Sequence, residues 1–262
     1  MSLLSADDPP AVEVVNAGGS SALVLLCDHA SNRLPRQLGD LGLTAGQLAD
    51  HISWDPGAAE VARRISQRLD APLVLSGYSR LVIDCNRPLD NDTLIAKNSA
   101  GVMVMGNQSL TDEDRQARIN ELYQPYHQAI AGLLNDRKQR PSVVISIHSF
   151  TPVLNGETRP WQMGICYGHD NRLASLMLKQ FNKLEGFVVG DNQPYSIEHG
   201  IDYTLPFHAE RRGLPHLMIE IRQDLIKTEE HVEFWADKIS DACQSIEDEV
   251  LLWFAKTVES NS

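Results

Sequence analysis

Four apolar runs of this sequence stop abruptly at residues able to do chemistry. "ALVLLC" ends at Asp28 and His29, and "RLVID" runs into "CNRP", which groups Asp84, Asn86 and Arg87. "SVVISI" ends at His148 and Ser149, and "PHLMI" ends at Glu220, with Arg222 two residues on. Imidazoles beside carboxylates are the donors of a hydrolytic metal such as zinc. A further carboxylate suits proton transfer from water, and guanidinium groups suit an anionic substrate, whose carboxylate they meet with paired donors. These residues act together only if the runs are strands that end at one edge of a sheet. In α/β proteins that edge is where ligands bind.

Each residue also has a structural use. A histidine at a strand end serves as a satisfied polar group, Glu220 pairs with Arg222 or Arg211, and Asp84 orients Arg87 or caps a loop. Asp55 in "SWDPGAAE" precedes Pro56 and a helical pattern, which reads as an N-cap followed by proline at the first helical position. His51, His127, His169, His199, His208, His216 and His231 have no partner at metal-ligand spacing and read mostly as structural or surface groups.

The elements that must position these groups follow from periodicity. Strands are expected at 22–27, 72–76, 80–85, 143–147, 163–167, 186–190 and 215–221. Ala58, Val61, Ala62, Ile65 and Leu69 share one helix face. Ile119, Leu122, Tyr123, Tyr126, Ile130, Leu133 and Leu134 share another, with a capping box at Thr111 and Asp114 and a kink or restart at Pro125. Further helices are expected at 171–184 and 229–256. Buried strands alternating with helices imply a three-layer α/β sheet. The segments 86–110, 150–162 and 191–212 are too long for plain connectors and are candidate pocket walls.

The chain has 262 residues, 42% apolar and 22% charged, which is ordinary for a globular protein. One α/β domain is expected over 13–257, with frayed ends at 1–12 and 258–262. The net charge of −12 argues against a nucleic-acid partner but leaves room for a local arginine pocket and a small anion. The four cysteines, Cys27, Cys85, Cys166 and Cys243, form no CxxC pair and read as buried thiols of a reducing compartment. A basic segment followed by an apolar stretch is missing from the start, and no run approaches a membrane span, so a cytoplasmic protein with no membrane partner is expected. GxSxG, GxxxxGK[ST] and GxGxxG are all absent.

At "CDHASNRLP", "SWDPGAAEVA", "YSRLVIDCNRPL", "ISIHSF" and "HLMIEIRQDL", the chain resembles the N-formylglutamate amidohydrolase family, in order from about residue 22 to about residue 245. That family is related to the zinc carboxypeptidases and aspartoacylases. The resemblance implies a mixed, mostly parallel central sheet with helices on both faces, and one Zn2+ per chain. It implies His29 and His148 as metal ligands. Asn32 stands where the wider group has a glutamate ligand, so Asp55, after Trp54, is the preferred third ligand and Asn32 the alternative. The Asp-x-Asn-Arg motif maps onto Asp84, Cys85, Asn86 and Arg87. Asn86 and Arg87, with Arg80 and Arg222, are the implied grips on a substrate carboxylate. Glu220 is the implied catalytic glutamate. The activity implied is hydrolysis of N-formyl-L-glutamate to formate and glutamate. The alternatives are another N-acyl amino acid or peptide fragment as substrate, or an anion-binding homologue that has lost its metal.

Overall fold

The computed structural model describes residues 2–260. Its strands are β1 (Val12–Val15), β2 (Leu23–Cys27), β3 (Leu73–Ser76), the short hairpin β4 (Asn98–Ser99) and β5 (Val102–Met103), β6 (Val143–Phe150), a second hairpin β7 (Val153–Leu154) and β8 (Glu157–Thr158), β9 (Met163–Cys166), β10 (Val189–Asp191) and β11 (His216–Arg222). The helices are α1 (Ala45–Ala49), α2 (Ala58–Leu69), α3 (Asp112–Arg118), α4 (Gln124–Asp136), α5 (Arg172–Phe181), α6 (Thr204–His208), α7 (Glu229–Ser245) and α8 (Glu247–Ser260).

Seven strands form one sheet in the order β1-β3-β2-β6-β11-β9-β10. The pairs β3/β2, β2/β6, β6/β11 and β9/β10 are parallel, whereas β1/β3 and β11/β9 are antiparallel. The sheet is therefore mixed and mostly parallel. Its buried strands alternate between two cores, as the period of two requires. Leu23, Leu25 and Cys27 face α2, α5 and α7, which contribute Val61, Ile65, Met177, Trp235 and Ile239. Val24 and Leu26 face α4 and α6, which contribute Tyr126, Ile130, Leu134 and Leu205. Helices on both faces leave only the strand ends free to carry a site.

The stretch 80–85 is not a strand. Its apolar residues Leu81, Val82 and Ile83 enter a third cluster with Ile52, Leu94 and Val104. Its backbone is satisfied by side chains and loop carbonyls rather than by a ladder. Arg118 Nη1 donates to Val82 O at 2.8 Å, Asn107 Nδ2 donates to Leu81 O at 2.8 Å, and Asp84 N donates to Leu94 O at 2.8 Å. The loop that carries Arg80, Asp84 and Arg87 is thus pinned in place.

Other boundaries also shift. The strand expected at 186–190 is β10, Val189–Asp191. The helix expected over 229–256 is two helices, α7 and α8, with Ile246 between them. The capping box at Thr111 and Asp114 is present, and the chain continues through Pro125 by way of one wider π turn at Ile119–Tyr123. Residues 2–12 are held rather than frayed: Leu3 is buried, and the Leu3 and Leu4 amides donate to the Glu121 carboxylate at 2.7 and 2.9 Å. The fraying expected at 258–262 falls in part outside the described residues. Among those described, no helix is long and apolar enough to cross a membrane.

Candidate metal centre and active-site cavity

The central strands β2, β6 and β11 run parallel, so their C-terminal ends meet. In that register Glu220 of β11 sits directly beside His148 of β6. His29 follows β2 by two residues. Asp55 reaches the same point from the loop before α2, where its amide donates to His29 O at 3.0 Å. It is not the helix cap: α2 begins after Gly57, whose φ of 82° only glycine adopts readily, and the Asp55 carboxylate instead meets His148 Nδ1 and the Ser149 amide.

Asp55 Oδ2 lies 2.8 Å from His148 Nδ1 and 3.4 Å from His29 Nδ1. One ligand atom from each of His29, Asp55 and His148 falls within 4.8 Å of the others, and all three residues are buried. The opposite ring nitrogens are committed elsewhere. His29 Nε2 is 2.8 Å from Asp84 Oδ1, and His148 Nε2 is 3.1 Å from Asp28 Oδ2 and 2.9 Å from Ser146 Oγ. A carboxylate on Nε2 holds the proton there and leaves Nδ1 as a lone-pair donor, the usual support of a metal-bound histidine. Asp28 is itself fixed by hydroxyl groups of Thr204, Tyr126 and Ser146.

The electrostatics call for positive charge among these carboxylates. Burial alone would raise Asp28, Asp55 and Asp84. Instead, His148 holds Asp28, His29 and His148 hold Asp55, and Arg80 and His29 hold Asp84 well below the usual carboxylate range. Burial pushes both imidazoles down, aided at His29 by Arg80. The flanking carboxylates reverse this and raise His29 through Asp84 and Asp55, and His148 through Asp28 and Asp55. A divalent cation supplies such charge, and His29 Nδ1 is buried with no hydrogen bond, only the Asp55 carboxylate 3.4 Å away. Two imidazoles and one carboxylate also match the donor set of catalytic zinc sites. The residues therefore fit a metal.

Glu220 behaves differently. It is 5% exposed, its Oε2 has no hydrogen bond, and burial pushes its carboxyl up to about 8, against the opposing charge of His148. His29, Asp55, His148 and Glu220 all line a cavity of about 520 Å3. Its walls come from the loops after β3, β6 and β10, with Arg80, Asn86, Arg87, Phe150, Thr151 and Tyr195 among them.

The remaining expected site residues divide. Arg80 lines the cavity, but Nε and Nη2 are held by Asp84 Oδ2 at 3.1 and 2.7 Å. Arg87 Nη1 lies 3.6 Å from Asp202 Oδ1 and bonds the carbonyls of Asn86 and Ile201. Asn86 clamps the loop before α6: its Oδ1 accepts from the Tyr203 and Thr204 amides, each at 3.0 Å. Asn32 is not at the centre; its amide donates to Leu48 O at 3.0 Å, and it lines a separate cavity. Arg222 also stands away from the lining, paired with Asp224 at 2.8 Å. Asp84 orients His29 and Arg80 rather than Arg87. Sequence reasoning missed the supporting roles of Asp28, Ser146 and Thr204; the placement of Asp28 beside His29 at a strand end was the one available signal.

A mostly parallel sheet with this cluster at its edge defines the class as an amidohydrolase-type α/β fold. It is the fold of an N-formylglutamate amidohydrolase from Ralstonia eutropha JMP134, to which the chain is 18% identical with a TM-score of 0.68, over 92% of this chain and 99% of that one. The chain belongs to the N-formylglutamate amidohydrolase family, whose model matches residues 21–227. It is also similar to the gene product Atu2144 from Agrobacterium tumefaciens, with 39% identity and a TM-score of 0.89 over 94% of this chain and 99% of that one. No curated protein matches the chain.

Proposed function

We propose that this chain is a zinc-dependent amidohydrolase of N-acyl amino acids, with N-formyl-L-glutamate its first substrate and formate and glutamate the products. The observation that carries the reading is the meeting of His29 Nδ1, Asp55 Oδ2 and His148 Nδ1 in one cavity with the unpartnered Oε2 of Glu220. His29, Asp55 and His148 hold the metal, which when bound acts as a Lewis acid on the amide carbonyl and makes water more acidic. Asp84 and Asp28 keep the two imidazoles in the tautomer that presents Nδ1.

Glu220 is the general base. Burial keeps its carboxyl near the working range, so it accepts a proton from the attacking water and delivers it to the leaving nitrogen. Arg80 and Arg87 face the cavity from the pinned loop and bind the substrate's α-carboxylate with their outward edges. A cavity of about 520 Å3 suits an acyl amino acid. With Asp55 completing the donor set, the amide at Asn32 no longer argues for a metal-free binding protein.

A substrate panel on zinc-loaded protein tests this reading. N-formyl amino acids with a free α-carboxylate should turn over, and acidic side chains should be preferred. Converting the α-carboxylate to an amide should lower kcat/KM by at least about 100-fold, because a site built for a polar group rejects its absence strongly. Equal rates on acid and amide contradict carboxylate recognition. Faster cleavage of N-acetyl or larger acyl groups than of N-formyl moves the assignment to another acyl amino acid.

A further inference from the structure

Four residues stand in one row across the edge of the sheet that carries the metal cluster. His148 of β6 is in register with Glu220 of β11, Glu220 with Gly164 of β9, and Gly164 with Gly190 of β10. Residues in register project from the same face of a sheet. The first two positions carry the chemistry, and the next two carry no side chain. The chain itself fills that space. A Cβ on Gly164 would stand 2.1 Å from Gln193 O and 3.2 Å from Pro194 Cδ, and one on Gly190 would stand 2.2 Å from Gln193 O. Neither glycine has a positive φ, so alanine is opposed there by space alone.

The segment laid in this trough is held at both ends. Asn192 N donates to Ile165 O at 3.0 Å, Tyr167 N donates to Asn192 Oδ1 at 2.8 Å, and Ile197 N donates to Tyr167 O at 3.3 Å. Between these holds, Gln193, Pro194 and Tyr195 line the cavity that contains the metal cluster and Glu220. The Arg159 guanidinium, just after β8, lies over the Tyr195 ring with Cζ 4.9 Å from its centre and braces it.

The strand order gives this wall a direction. Along the edge come the loop after β3 with Arg80 and Arg87, then β2 followed by His29, β6 with His148, β11 with Glu220, and last the glycines of β9 and β10. A substrate whose α-carboxylate meets the arginines, and whose scissile amide lies at the metal and Glu220, runs its acyl group toward the glycines. The Gln193 carbonyl sits over Gly164, one strand spacing from Glu220, or about 4.8 Å. Little space remains beyond Glu220 on that side for an acyl chain. We infer that Gly164 and Gly190 are positioning residues that seat 193–195 as a fixed stop, and that this stop sets the length of acyl group the protein accepts. The inference rests on the acyl amino acid reading above and adds which residues bound the acyl group.

The test varies the acyl group on one amino acid, with N-formyl-, N-acetyl- and N-propionyl-L-glutamate as substrates for zinc-loaded wild type, Gly164→Ala, Gly190→Ala and Tyr195→Ala. In wild type, kcat/KM should fall by roughly 10-fold or more per added carbon, the range in which a pocket discriminates one methylene. Alanine at either glycine displaces Gln193 O, and Tyr195→Ala removes part of the stop. Each variant should therefore narrow the formyl-to-propionyl ratio by roughly 10-fold or more, with zinc content as in wild type. A loss of the same size on every acyl length makes the glycines a packing device and overturns the inference, as does an unchanged ratio in every variant that folds. Tyr195, with its residue 39% exposed, keeps the test alive if the glycine variants fail to fold. A binding arm needs no turnover: formate, acetate and propionate are titrated against the same zinc-loaded proteins. Affinity should fall with chain length in wild type and fall less steeply in Gly164→Ala and Tyr195→Ala. Affinity independent of length in wild type overturns the inference. The expected pattern in this arm, without cleavage of any N-acyl amino acid, supports the stop and contradicts the substrate reading instead.

Discussion

Glu220→Gln should keep zinc and substrate affinity yet lose roughly 100- to 10,000-fold in kcat, the usual contribution of a positioned general base. The amide has the same shape as the carboxylate but cannot accept the water's proton. Glu220 sits in register with His148 and has no hydrogen bond on Oε2, so the exchange breaks no observed contact there. The replacement also relieves a buried carboxyl pushed up to about 8, so thermal stability should not fall. Metal content, KM and kcat measured on one preparation check all parts of this outcome. Near-normal turnover removes Glu220 from the chemistry.

Removing a ligand should have an effect of comparable size on metal. His148→Ala and Asp55→Ala should each leave the protein without zinc after dialysis, and with it activity, while Asn32→Ala stays loaded. Asp55 bonds His148 Nδ1 and accepts from the Ser149 amide at 3.3 Å, but α2 begins without its side chain. Loss of a helix cap therefore should not confuse the result. A subtler change comes from the residues behind. Asp84→Asn or Asp28→Asn should weaken zinc binding by roughly 10- to 100-fold, the usual effect of losing a carboxylate that orients a ligating histidine. Metal analysis across a zinc concentration series separates the two patterns. Unchanged zinc in both His148→Ala and Asp55→Ala contradicts the assignment.

His29, His148 and Glu220 were legible in the sequence because each closes an apolar run, and the runs of β2, β6 and β11 are hydrophobic on both faces. Asp55 was harder. Asp-Pro before a helical pattern reads as a cap, and only the backbone at Gly57 shows that the helix starts later. The family resemblance pointed to Asp55 as a candidate ligand, whereas local sequence logic did not. "RLVID" carries the composition of a strand, yet its hydrogen-bond partners Arg118 and Asn107 lie 36 and 26 positions from Val82 and Leu81, beyond what a local pattern encodes. The same distance problem hid Thr204, which reaches Asp28 from 176 positions away.

A zinc titration of activity tests the metal centre most directly. Protein stripped by a chelator and dialysed should release no formate from N-formyl-L-glutamate. Added zinc should restore turnover in proportion and level off near one equivalent per chain, as a three-residue site for one ion requires. The same titration on His148→Ala should stay flat. Full turnover in metal-free protein, or none in wild type that has taken up one equivalent, would contradict a zinc amidohydrolase centred on His29, Asp55 and His148.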